Sequence, residues 1–182
     1  GATGVLQIAA GVLDMNQSQN DLRMGDATSS LGLMTMAGGT ATISRVIQIG
    51  SATGSRGAIY ITNGLLQSTD GTSGGLEVGS GSAATGRVEQ SGGRVASANN
   101  ILIPSSTATS GWYGISGGTL TGAAAMTIGN ANGGAGTLDV VGNGGTIHVG
   151  DSNTEDLTIN AKGDLRVTFV SSALSTIKVS DD

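Results

Sequence analysis

Two stretches decide the fold: Gly86-Arg-Val-Glu-Gln-Ser-Gly-Gly-Arg-Val-Ala96 and, 25 residues later, Gly111-Trp-Tyr-Gly-Ile-Ser-Gly-Gly-Thr-Leu-Thr121. Each begins Gly-x-Φ-x-Φ, where Φ is apolar (Gln90 takes the last such place in the first unit), and passes through Ser-Gly-Gly into a second Gly-x-Φ. The apolar residues recur every second position, which is the period of a strand with one buried face. Outward from these two units the first register recurs as Gly4-Leu6-Ile8, Gly32-Met34-Met36, Gly57-Ile59-Ile61, Gly136-Leu138-Val140 and Gly163-Leu165-Val167. The second register is Gly11-Leu13, Gly39-Ala41, Gly64-Leu66, Gly93-Val95, Gly118-Leu120 and Gly145-Ile147. A third, Φ-x-Φ-Gly, falls at Leu22-Met24, Ile47-Ile49, Leu76-Val78, Ile101-Ile103, Met126-Ile128 and Leu157-Ile159.

The spacing between markers is nearly constant. First to second glycine is 7 residues in five repeats and 9 in the sixth; third marker to the next repeat is 7 in five cases and 3 in the last. Second to third is 11 in three repeats but 14, 15 and 15 in the first, third and sixth, so the main insertions gather at one corner. Three short strands per 25-residue unit, with glycine at the corners, predict one coil of a parallel β-solenoid. Leu6, Met34, Ile59, Val88, Tyr113, Leu138 and Leu165 are then expected to form one internal column. The fold class is all-β, a three-strand-per-coil β-helix of about 6–7 rungs, and the crossover rule makes it right-handed. Residues 1–182 form a single segment with repeats starting near 4, 32, 57, 86, 111, 136 and 163. An antiparallel sandwich would not need columns of like residues at a fixed interval.

Composition agrees with a folded chain. Charged residues are 12% and hydrophobic residues 37% of the 182, whereas disordered chains are rich in charge and poor in aliphatic residues. The aromatic residues are Tyr60, Trp112, Tyr113 and Phe169, so the core rests on Leu, Ile, Val, Met and Ala. A net charge of −5 with no basic block argues against nucleic acid, and no apolar run reaches the roughly 18 residues of a membrane helix. Without cysteine there is neither a disulfide framework nor a thiolate metal site.

The units quoted at the outset resemble repeats of large bacterial surface proteins, namely autotransporter passenger regions and exported proteins with a PEP-CTERM sorting tail. In these, phrases like GxxxxSGGxLT…LxIG recur many times, and the similarity covers nearly the whole chain. The closing Leu165-Arg-Val-Thr-Phe-Val170 is similar to the transition that follows such repeats. The resemblance implies an extracellular or cell-surface location in a bacterium. Two positions depart from the pattern: Gln90 faces inward and should be a hydrogen-bonded core residue, and Pro104 replaces a corner glycine and should stiffen that corner.

Chemistry is sparse. His148 is the one histidine and alternates with Ile147 and Val149, so it should face outward; a single histidine leaves little scope for a triad. No Gly-x-Ser-x-Gly elbow appears, and the Gly-x-Gly fragments open no helix as a phosphate cradle requires. No catalytic residue, cofactor or metal site is assigned. On the outward face of the first strand, Tyr60, Arg87, Glu89 and Trp112 lie on adjacent coils, with Arg87 and Trp112 in register. This cluster suggests a cation–π contact and a small sugar-stacking platform, or simply a ladder that stabilises neighbouring coils. The insertion-corner loops 16–21, 68–74 and 150–156 are polar and mildly acidic, and Asp151, Glu155 and Asp156 could form a weak cation site, though solvent loops are the simpler expectation. Thr40/Thr42 and Thr119/Thr121 are interrupted by Leu65/Gln67 and Arg94/Ala96, which excludes a flat ice-binding array.

The expected function is non-enzymatic: a rigid stalk, adhesive segment or filament-forming unit on a bacterial surface. The alternative is a carbohydrate-binding or polysaccharide-degrading β-helix whose active part lies outside this segment; surface polysaccharide is then the partner. The chain starts inside the repeat, with Gly1 three residues before Gly4, so the first coil should lack a cap and favour end-to-end self-association or continuation into further coils. At the other end Phe169, Leu174 and Ile177 are expected to pack on the last coil as a partial cap before Asp181-Asp182.

Overall fold

The computed structural model describes residues 1–15, 17, 19–72, 75–142, 144–150, 157–168 and 175–179, and all regular structure among them is β-strand. Twenty strands form three parallel sheets. The first sheet stacks β1 (Thr3–Ile8), β4 (Leu31–Met36), β7 (Arg56–Ile61), β10 (Thr85–Gln90), β13 (Ser110–Ile115), β16 (Ala135–Val141) and β19 (Gly163–Thr168). The second stacks β2 (Val12–Met15), β5 (Thr40–Ile43), β8 (Leu65–Ser68), β11 (Arg94–Ser97), β14 (Thr119–Gly122), β17 (Thr146–Val149) and β20 (Thr176–Val179). The third stacks β3 (Leu22–Met24), β6 (Ile47–Ile49), β9 (Gly75–Val78), β12 (Asn100–Ile103), β15 (Met126–Ile128) and β18 (Leu157–Ile159). The chain is a β-solenoid in which each strand pairs with its equivalent one coil away.

The register follows the sequence columns. Leu6 pairs with Met34, Met34 with Ile59, Ile59 with Val88, Val88 with Tyr113, Tyr113 with Leu138 and Leu138 with Leu165. The inner residues of the middle coils, Met34, Ile59, Val88, Tyr113 and Leu138 among them, are fully buried. Leu6, Leu13 and Met15 at one end and Leu157, Leu165 and Ile177 at the other are half-buried, because a coil covers them on one side alone. Ile177 stacks on Ile147 as a regular rung of the second sheet, so this residue continues the solenoid where a folded-over cap was expected. Phe169, Leu174 and the terminal aspartates lie outside the described residues.

Gln90 is 1% exposed and fully engaged. Its Nε2 donates to the carbonyls of Gly93 (3.2 Å) and Thr119 (3.0 Å), and its Oε1 accepts from the Tyr113 hydroxyl at 2.6 Å. This satisfies the requirement that a buried amide find partners. Tyr113 sits over Val88, the smallest side chain of its column, so the large ring is matched by a small neighbour. Pro104 is buried and turns its corner through a cis Ile103–Pro104 bond, where other coils use the positive-φ glycines Gly25, Gly50, Gly79 and Gly129. Buried hydroxyls at the corner before the first strand complete the interior: Ser55 Oγ accepts from the Ala52 amide (3.1 Å) and donates to the Ala52 carbonyl (2.7 Å), and Thr109 Oγ1 donates to the Ser106 carbonyl (2.6 Å). Each tightens its turn by a local side chain–backbone bond.

Candidate functional site

The outer face of the first sheet is a lattice set by the pleat and the coil spacing of about 4.8 Å. One row runs across the coils as Ala58, Arg87, Trp112 and Thr137, and the next outward row as Tyr60, Glu89, Gly114 and Asp139. The structure therefore brings Tyr60, Arg87, Glu89 and Trp112 together as the sequence suggested. The Arg87 guanidinium carbon lies over the Trp112 ring, 4.0 Å from its centroid. Arg87 Nε also donates to Glu89 Oε1 at 3.0 Å, and its Nη2 binds the same oxygen. Both side chains are a little under half exposed, so this pair contributes at most about 1 kcal/mol. Its role is positional: Glu89 fixes the guanidinium, and the guanidinium fixes the indole.

Gly114 is the residue that sequence reasoning missed. A Cβ there would fall on the six-membered edge of the Trp112 indole, so the ring leans along its own strand into the space a side chain would fill. The indole fills that space and buries Gly114, and beside it lies a groove of about 240 Å³ lined by Tyr60, Glu89, Trp112 and Gly114, with Ser91 and Ser116 just past the strand ends. The signal was present, since 114 is the outward position of its row that carries no side chain, but its consequence depends on the rotamer of Trp112.

Other candidates resolve differently. His148 is half-buried on β17, in register with Thr121 and Lys178 on the second sheet, away from the aromatic cluster. At the insertion corner Asp21 binds Arg23 at 2.8 Å and Arg45 at 3.7 Å, and the hydrogen bond to Asp21 is the main cause holding the Arg23 guanidinium above its ordinary pKa. Asp70 Oδ1 accepts from the Thr72 amide (2.8 Å) and hydroxyl (2.6 Å), a local turn. Asp151, Glu155 and Asp156 lie outside the described residues. Among the described residues no three His, Cys, Asp or Glu side chains gather as metal ligands, and no helix is long and apolar enough to cross a membrane. Comparison with protein-family models, with curated proteins and with solved structures finds no match to this chain.

Proposed function

We propose that this chain is a rigid, non-enzymatic segment of an extracellular bacterial surface protein, serving as a stalk, adhesive spacer or assembly unit, and that its first coil receives a further coil of the same architecture. Parallel in-register pairing along three sheets supports stiffness, and the repeat resemblance supports the location. Six rung spacings give the first sheet a height of about 29 Å.

Gly4 carries the assembly part. At the equivalent position Gly32, Gly57, Gly86, Gly111, Gly136 and Gly163 have no room for a Cβ, which would strike backbone where the third strands of the one or two preceding coils end. For Gly111 the obstacle is the Val78 carbonyl oxygen, for Gly136 that of Ile103, and for Gly163 that of Ile128. Gly4 has nothing within 4 Å of such a Cβ, and its φ is outside the left-handed region. Neither its own conformation nor any neighbour in the chain demands glycine there. A coil seated beneath β1 would demand it. Beside Gly4 an open hollow of about 540 Å³, lined by Thr3, Val5, Leu6, Met24 and Gly25, lies where the third strand of that coil would enter. Val5 and Val12 are 61% and 75% exposed along the same edge, an arrangement that invites strand addition.

Sedimentation velocity across a concentration series, with electron microscopy, tests this. The parent chain should associate end to end. Gly4→Val should weaken association while leaving thermal stability unchanged, whereas Gly136→Ala should destabilise the fold. A strictly monomeric particle at high concentration, or Gly4→Val associating like the parent, refutes stacking between copies of this chain.

A further inference from the structure

We infer that the groove beside the Trp112 indole is a binding subsite for one ring of a neutral oligosaccharide lying across the coils. This goes beyond the structural role and does not depend on it. At about 240 Å³ the groove is smaller than the roughly 300–1,000 Å³ of sites that engulf a drug-sized ligand. It suits a single pyranose of a longer chain.

The chemistry of the lining selects the ligand. Tyr60 and Trp112 line the groove with Glu89, and both rings are only half-buried, so the aromatic surface that Arg87 does not cover is offered to the C–H face of a sugar ring. The Glu89 carboxylate and the hydroxyls of Ser91 and Ser116 border the same groove and can bond sugar hydroxyls. Arg87 stacks on the indole at 4.0 Å and grips Glu89 through Nε at 3.0 Å, so the ring and the carboxylate are held in place before any ligand arrives. Such preorganisation reduces the ordering cost of binding. An extended peptide cannot add as a strand here, because the groove lies on the face of a sheet whose strands are paired on both sides, β10 with β7 and β13 and β13 in turn with β16. A nucleic acid would bring phosphates to a chain of net charge −5, beside Glu89 and the neighbouring Asp139. Acidic polysaccharides meet the same repulsion. Neutral sugar is what remains compatible with aromatic faces, hydroxyls and an already paired carboxylate.

Trp112 is the single tryptophan in the sequence, so its fluorescence reports the groove directly. The probes are cellohexaose, mannohexaose and chitohexaose, with polygalacturonate and a single-stranded oligonucleotide as the anionic arms. At least one neutral hexasaccharide should shift the emission saturably at up to millimolar concentration. Affinity electrophoresis in gels containing the matching polysaccharide should show Trp112→Ala weakened about tenfold, the loss expected of one stacked ring. Gly114→Ala displaces the indole edge and should weaken binding comparably with circular dichroism unchanged, which separates site loss from misfolding. Gln67→Ala, on the second sheet, should bind as the parent does. No response to any neutral probe, response to the anionic probes alone, or parental binding by a folded Gly114→Ala overturns the proposal. None of these outcomes bears on end-to-end association, which sedimentation reads separately.

Discussion

Tyr113→Phe removes one oxygen from the interior and leaves the ring in place. The ring is fully buried in the first-sheet column, so no cavity opens and no packing is lost. What changes is Gln90 Oε1, which loses the 2.6 Å bond from the Tyr113 hydroxyl; the two other bonds recorded for this side chain run through Nε2. A buried acceptor left without a donor costs about 1–3 kcal/mol. Gln90→Leu strands the phenol hydroxyl instead and forfeits both Nε2 bonds, so its loss should be at least as large. Replacing both polar groups restores an apolar pair in two otherwise apolar columns. The double variant should therefore lose less than the sum of the singles, by about 0.5–3 kcal/mol of coupling. Urea unfolding followed by far-UV circular dichroism and by Trp112 fluorescence measures this, and coincident curves from the two probes establish cooperative unfolding. Additive losses, or a Tyr113→Phe chain within about 0.3 kcal/mol of the parent, contradict the network.

Val88→Asp should lower the melting temperature far more than Arg87→Asp, because one places an unpaired carboxylate at a 2% exposed position and the other alters a surface pair; equal melting would refute the inward–outward assignment. Burial holds the Tyr113 phenol well above its ordinary value of 10, so the stability tied to its protonated form is complete below the unfolded pKa of about 10 and declines as pH rises beyond it. Alkaline spectrophotometric titration should show the Tyr113 phenolate appearing together with loss of circular dichroism, and its ionisation in the intact fold would contradict that burial. A panel of acidic and neutral polysaccharides should show no turnover; reproducible hydrolysis or elimination abolished by Glu89→Gln or Asp139→Asn would overturn the non-enzymatic proposal.

The sequence by itself determined the coil. Alternation at every second residue sets which side chains enter the core, and a one-residue slip would turn all of them outward, so the columns from Leu6 to Leu165 and from Leu13 to Ile147 leave no other register. The inward Gln90 and the Arg87–Trp112 contact were legible for the same reason: a fixed coil spacing turns distance in sequence into adjacency in space. Tertiary structure alone decided what those neighbours do with their freedom. Tyr113 reaches Gln90 because Val88 beneath it is small, and the indole of Trp112 leans over Gly114 because that position carries no Cβ. Both depend on rotamers chosen by packing between coils, which no single repeat encodes. The meaning of Gly4 is likewise invisible in the repeat pattern, where it resembles its six counterparts. It emerges from the backbone contacts: six of these glycines are forced by the ends of third-sheet strands in preceding coils, and the seventh meets no atom within 4 Å.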